Sequence, residues 1–487
     1  MSAPFGLFQQ HISLMHGWVP TTVQALAAAT LVIAVIGRPR RWLGLAALLG
    51  AVAASATYWA VASNGLSGEP APRELWIWVA ASGLAVGVVG LGWRGARWWR
   101  RAAATVAVPL CLLSTALAVN AWVGYFPTVQ NAWGQLTSGP LPDQTSRAAV
   151  TAQAAQVQAH HVLPARGSVV PVTIPSTASG FKHRGELVYL PPAWFATSPP
   201  PKLPTVLMLG GEFNTPADWL RAGDAVTTAD AYAAAHHGNA PVMVFADSGG
   251  AFNNDTECVN GPRGNVADHL TKDVRPFMSA DFGVSTDPAN WGIAGWSMGG
   301  TCAVNLTTMH PELFSSFVDI AGDAAPNSGT KAQTISRLFG GDAAAYAAWD
   351  PVHVITEHGP YQGISAWFAI NANTGNLPRN VPAGNVTAPL AYHAGTGRPS
   401  DQTTAANTLC ALGAANGIQC AVVAQPGKHD WPFAARVFAT ALPWLAGALH
   451  TPGVPAPSLP VAARSAATLP AAGTPNVAGT STEAAGR

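Results

Sequence analysis

The sequence predicts a membrane-anchored α/β protein, with four transmembrane helices ahead of a domain built on a mostly parallel sheet. Three observations lead there. Hydrophobic residues make up 49% of the 487 positions and charged residues only 10%, an unusual balance for a water-soluble chain. The apolar excess is gathered near the N-terminus in four uncharged runs, each about 20 residues long and so able to cross a hydrocarbon core about 30 Å thick. From Gly167 onward the pattern changes to short apolar runs separated by Pro and Gly, with helical stretches between the later ones. Strands alternating with helices imply a parallel sheet covered on both faces. The net charge of +1 offers no basic footprint for nucleic acid.

The four runs are Trp18 to Gly37, Trp42 to Ser63, Leu75 to Trp93 and Ala102 to Tyr125. No Lys or Arg precedes the first, and three more follow it, which argues against a cleaved signal peptide. Arg38, Arg40 and Arg41 sit in the first connection, and Arg94, Arg97, Arg100 and Arg101 in the third. The second has only Arg73, beside Glu69 and Glu74. The excess of positive charge puts the first and third connections in the cytoplasm, so the N-terminus and everything after the fourth run are expected outside. Trp42, Trp76, Trp93, Trp98, Trp99, Trp122 and Tyr125 cluster at the run ends, as interfacial aromatic belts do. The runs contain no ionisable side chain of the kind that marks transport or proton relay, which favours an anchoring role in the bilayer.

The expected organisation is a membrane domain over 1–126, an extracytoplasmic linker over 127–166, a catalytic domain over 167–449 and a disordered tail over 450–487. Within the linker, Ser146 to His160 reads as a helical stalk. Expected strands are Val169–Ile174, Glu186–Leu190, Thr205–Leu209, Val242–Ala246, Trp291–Ala294, Phe317–Ile320, Ile364–Ile370, Pro389–His393 and Cys420–Ala424. A final helix spans about Trp431 to Leu449. The tail is rich in Pro, Ala, Gly, Ser and Thr, with few large apolar residues.

Between the Trp291 strand and a helical pattern from Thr301 lies Gly295-Trp296-Ser297-Met298-Gly299-Gly300. Strand, sharp turn and helix around G-x-S-x-G form a nucleophile elbow, with Ser297 at its tip. The glycines serve a turn so tight that a Cβ would clash. This motif on this element pattern points to an α/β-hydrolase fold. A serine hydroxyl is a weak nucleophile and needs a base. In this fold the partners follow in the order Ser, acid, His. His429, in a loop after the Cys420 strand, fits the base, because His393 falls inside an expected strand and His450 past the last helix. Between Glu357 and His429 the one acidic residue is Asp401, just after the Pro389–His393 strand where the acid belongs; Asp323, after the Phe317 strand, is the competitor. The oxyanion hole needs two backbone N–H groups. Met298 supplies one. The other comes from Leu209-Gly210-Gly211-Glu212-Phe213, with Glu212 chosen by position and Gly211 as the alternative.

Other features are weaker. The pairs His160-His161 and His236-His237 point their rings in different directions on a helix. No zinc-type spacing is present, and neither metal nor cofactor is implied. Asn253-Asn254-Asp255-Thr256-Glu257-Cys258 either lines the mouth of the site or is a plain loop. Residues 324–349 either shelter an acyl chain or pack down. Five cysteines are present. Cys111 falls in an apolar run, and the other four suit either buried thiols or two disulfides, Cys258 with Cys302 and Cys410 with Cys420.

The stretch from about 167 to 449 resembles the esterase D and antigen 85 mycolyltransferase family. The resemblance runs through Met208-Leu209-Gly210-Gly211, Asp218-Trp219, the Gly295–Gly300 elbow, Met309-His310-Pro311-Glu312-Leu313-Phe314 and His429-Asp430-Trp431-Pro432-Phe433. With four spans ahead, it looks like the membrane-bound esterases of mycolate-containing actinobacteria. The resemblance implies acyl-ester chemistry outside the cytoplasmic membrane, through an acyl-enzyme on Ser297. The mycolyltransferases carry their acid as a glutamate on the helix after the Asp401 loop, and Asn407-Thr408-Leu409-Cys410-Ala411-Leu412 has none, which favours an ordinary esterase arrangement. Three functions follow: a serine esterase; an acyltransferase moving an acyl chain to trehalose or another cell-envelope sugar, with a glycolipid as partner; or an inactive, membrane-tethered binding protein on a hydrolase fold.

Overall fold

A computed structural model describes residues 12–64, 71–93, 96–137, 141, 143–372 and 402–460. Four helices, α1 (Trp18–Val35), α2 (Arg40–Asn64), α3 (Arg73–Gly92) and α4 (Trp98–Val123), are each long and apolar enough to cross a membrane. Small residues let α2 and α3 touch. A Cβ on Gly50 would lie 2.5 Å from the Ala80 carbonyl oxygen, and one on Gly83 2.9 Å from Ala53. Small residues of this kind let helix backbones approach closely and pack by van der Waals contact. At one end of the bundle Arg38 donates to the carbonyls of Ala34 and Gly92. At the other end, Leu14 and Val129 pair with Pro127 and Ile12, so the chain enters α1 and leaves α4 on the same side.

That side carries the second domain. Helix α5 (Val129–Leu136) leads to α6 (Arg147–His160), capped by the Ser146 hydroxyl. The stalk expected from the sequence is a helix, but it lies against the domain. Val150 and Val157 are buried in the domain's core, and Gln158 donates to the Phe195 carbonyl. Its alanine-rich surface left only these two valines to reveal a buried side.

The strands are β1 (Ser168–Val172), β2 (Glu186–Leu190), β3 (Thr205–Leu209), β4 (Val242–Phe245), a short hairpin of β5 (Asn260–Gly261) and β6 (Gly264–Asn265), then β7 (Trp291–Trp296), β8 (Ser316–Ile320), β9 (Ser365–Ala372) and β10 (Gln419–Pro426). Eight form one sheet in the order β1-β2-β4-β3-β7-β8-β9-β10. The pairs of β1 with β2 and of β2 with β4 are antiparallel, and the rest are parallel. β2, β3, β4, β7 and β8 are buried throughout, because helices cover both faces. The architecture is an α/β-hydrolase domain behind four long apolar helices. The expected Pro389–His393 strand lies outside the described residues.

Two disulfides join Cys258 to Cys302 and Cys410 to Cys420. Of the expected tail, residues 451–460 are described and mostly exposed, with Val454 and Leu459 partly buried against the core. Gly447 admits them, since a Cβ there would lie 2.5 Å from the Pro455 carbonyl oxygen. Residues 461–487 lie outside the described part.

Candidate active site

β7 is central in the sheet, flanked by β3 and β8, and it runs straight into the helix Met298–Met309. Ser297 sits between them with φ 56° and ψ −119°, a backbone conformation that side chains avoid. The turn holds because its neighbours leave no alternative. The Ser297 N–H donates to the Ile320 carbonyl at 2.9 Å. A Cβ on Gly295 would run into the Gly299 carbonyl, and one on Gly299 into the carbonyls of Leu209 and Gly210.

His429 comes from the loop between β10 and the last helix, Trp431–Ala448. Asp430 caps that helix by accepting from the Phe433 N–H at 3.0 Å, which fixes the loop's exit. The result places His429 Nε2 3.0 Å from Ser297 Oγ. Its ring lies on the Trp296 indole, with centroids 4.2 Å apart. Burial pushes its pKa down to about 4, so the ring is neutral and able to accept the serine proton. The ring keeps partial exposure, which moderates that shift. With Nε2 accepting, Nδ1 carries the proton and needs an acceptor. The Gln402 amide nitrogen lies 3.2 Å from it. Asp401, the expected acid, lies outside the described residues. Asp323, the competitor, binds elsewhere: its carboxylate accepts from Asn327, and its N–H donates to the Thr301 hydroxyl.

The Met298 amide is the first of its helix, with no carbonyl one turn back to receive it. The Gly210–Phe213 loop stands beside the nucleophile, since a Cβ on Gly211 would lie 3.1 Å from that of Ser297. The Gly211 amide itself donates to Asn214 Oδ1 at 2.9 Å.

Sequence reasoning missed a group of buried acids close by. Burial raises Asp319, on β8 beneath the elbow, to about 7, although the Gly322 N–H donates to it. Burial also raises Asp255 to about 6, and Glu257 is raised further by burial and by the charges of Asp255, Asp323 and Glu212. The 253–258 loop is thus no open rim. Asn254 ties it to the carbonyls of Gly249 and Arg263, and Cys258 bonds to the helix that follows Ser297. Residues 324–349 pack down, with Leu338, Phe339 and Tyr346 forming a small core with Val259. Of the histidine pairs, His161 ends α6 in a left-handed conformation, and the His236 ring binds the Tyr232 carbonyl.

The four-helix part reaches this site. Gly124, which ends α4 with φ 67°, lies so close to Asp430 that a Cβ would overlap that side chain. The Tyr125 hydroxyl donates to Asp218 at 2.6 Å, and Asn131 donates to the Arg221 carbonyl. Trp219, beside Asp218, packs edge-on against Trp431. His429 is therefore one residue from a direct contact with the end of a long apolar helix.

A nucleophile elbow facing a histidine on an eight-stranded, largely parallel sheet defines an α/β hydrolase of the serine type. Residues 182–442 match the family described as "Putative esterase", and the chain belongs to it. An uncharacterized protein of Corynebacterium glutamicum is 30% identical over 381 residues, covering 74% of this chain and 86% of its own. Among solved structures, a ferulic acid esterase aligns with 18% identity and a TM-score of 0.43, over 58% of this chain and 99% of its own. An S-formylglutathione hydrolase from Agrobacterium tumefaciens aligns with 16% identity and a TM-score of 0.44, over 59% and 98%. A fluorophosphonate-binding serine hydrolase of Staphylococcus aureus aligns with 16% identity and a TM-score of 0.42, over 58% and 99%.

Proposed function

We propose that this protein is a membrane-anchored serine esterase that cleaves carboxylic esters through an acyl-enzyme on Ser297. The observation that carries the reading is the 3.0 Å contact between Ser297 Oγ and His429 Nε2 at a strained elbow. Ser297 attacks the ester carbonyl as His429 takes its proton. The amides of Met298 and Glu212 receive the oxyanion. His429 then returns the proton to the departing alcohol, and water repeats the sequence to free the acid. Asp401 accepts from Nδ1 and holds the ring during the imidazolium stage.

The catalytic domain acts on the outer side of the membrane. Seven arginines in the first and third connections support this orientation. So do the two disulfides, which persist in oxidising compartments. A second reading, acyl transfer to a cell-envelope sugar such as trehalose, is favoured by the contact of Gly124 with Asp430, which sets the site near the bilayer where a glycolipid would lie.

The test is labelling of the full-length chain in membranes with a fluorophosphonate probe. The wild type is labelled and Ser297→Ala is not; an unlabelled wild type overturns both enzymatic readings in favour of a tethered binding protein. Product analysis with water and trehalose in competition separates the two enzymes. A reporter fused after residue 450 and active only in the cytoplasm would reverse the orientation.

A further inference from the structure

A second cluster of titratable groups lies away from Ser297, where the segment before β2 meets the helical segment His269–Val274. His183 Nδ1 lies 3.4 Å from Glu186 Oε2, and His269 Nε2 lies 3.0 Å from Glu186 Oε1. One donor atom from each of these three residues falls within 4.8 Å of the others. His269 is fully buried, Glu186 is 1% exposed, and the His183 side chain keeps 9%, a way in from solvent.

The outer nitrogens are already anchored. His183 Nε2 faces the Ile174 carbonyl at 2.7 Å, and His269 Nδ1 faces Asp273 at 3.4 Å. Metal-bound imidazoles are held this way, with the far N–H given to a carbonyl or carboxylate and the near nitrogen aimed at the ion. His269 Nε2 faces the Glu186 carboxylate, and His183 Nδ1 lies between that carboxylate at 3.4 Å and the Arg184 carbonyl at 2.8 Å. Glu186 Oε2 is buried and accepts no hydrogen bond. The Arg184 carbonyl, 2.8 Å from His183 Nδ1, adds another oxygen on that side.

Charge points the same way. Asp247 is bound to Arg184, with contacts down to 2.6 Å, and its N–H donates to Glu186 Oε1. Glu186, Asp247 and Asp273 bring three negative charges, and Arg184 brings one positive. With neutral imidazoles, two negative charges are left in a buried place, which is costly without compensation. One divalent cation balances them. Without a metal, His183, with a carbonyl oxygen at each ring nitrogen, holds a second proton, and the ion takes the place of that proton.

We propose that His183, Glu186 and His269 form a binding site for a divalent transition-metal ion. Two imidazoles and a carboxylate are a donor set that suits Zn2+. The ion is structural. It fastens the segment before β2 to the helical segment of His269, and it steadies Arg184, which donates to the Asn214 carbonyl at 2.6 Å. Asn214 in turn holds the Gly211 amide beside the nucleophile. The site shares no residue with the esterase reading and stands or falls independently of it.

The test uses the full-length chain, purified in detergent with a tag that contains no histidine, loaded with Zn2+ and then freed of loose metal. Elemental analysis should find about one Zn2+ per chain, and X-ray absorption at the zinc edge should report imidazole nitrogens at about 2.0 Å with no sulfur. His183→Ala and Glu186→Gln should each weaken zinc binding at least tenfold. Wild-type protein that retains no zinc would overturn the proposal and leave a proton-filled ion network. Zinc retained equally in both variants would also overturn it, since the ion then lies elsewhere. If the variants fail to fold, the wild-type absorption spectrum decides, because a sulfur or all-oxygen shell rules these residues out.

Discussion

Replacing Ser297 separates its chemical role from its backbone role. The residue is held at φ 56°, ψ −119°, and such a conformation stores about 1–3 kcal/mol in a residue with a Cβ. Ser297→Ala removes the hydroxyl but keeps the strain. Ser297→Gly removes both. The glycine gains freedom in the unfolded chain, which costs about 0.5–1 kcal/mol. The difference leaves Ser297→Gly more stable than Ser297→Ala by up to about 2.5 kcal/mol, centred near 1, or up to about 5 °C in thermal midpoint for a domain of this size. The assay is thermal unfolding of the two full-length variants in one detergent at one scan rate, followed by tryptophan fluorescence, with fluorophosphonate labelling alongside. Neither variant should be labelled. A glycine variant no more stable than the alanine variant would refute the claim that the elbow stores strain.

Two further predictions concern pH and the disulfides. Burial lowers the pKa of His429 toward about 4 from the usual value near 6.5. The base is active when neutral, so the rate of fluorophosphonate labelling should stay level down to about pH 5 and fall toward pH 4, as His429 takes up a proton. A half-maximal rate near pH 6.5 or above would contradict a pKa lowered by burial. The disulfide between Cys258 and Cys302 closes a 44-residue separation and anchors the helix that follows Ser297. Losing it in Cys258→Ala/Cys302→Ala should cost about 4 kcal/mol by loop entropy, and losing Cys410 with Cys420 about 3 kcal/mol. Urea unfolding of the two double variants checks both the sizes and their order.

Much of the fold was legible because its signals are local. A run of about 20 apolar residues needs no partner to declare itself a span. The elbow carries its own glycines within six residues, and eight of the nine expected strands are found with their ends within two residues, because turns that sequence can read bound them; the ninth, Pro389–His393, falls outside the described residues. His429 was found by chain order alone, a rule that works because the strand order of this fold returns the last loop to the elbow. The expected helix over Ser146–His160 is present, but its packing was not legible because so few of its residues are large and apolar: two valines in α6 decide it, as Val454 and Leu459 do beyond the last helix.

The sequence by itself therefore determined the four apolar helices, the alternating domain, the serine and the histidine that faces it. Tertiary structure alone decided the rest. It brought Ser297 and His429 together across 132 residues, set Gly124 against Asp430, and gathered His183, Glu186 and His269 with 83 residues between the last two. Short-range patterns report which way a segment folds and which side it buries. Which distant side chains meet depends on sheet order and register, and these are settled only when the whole core packs at once.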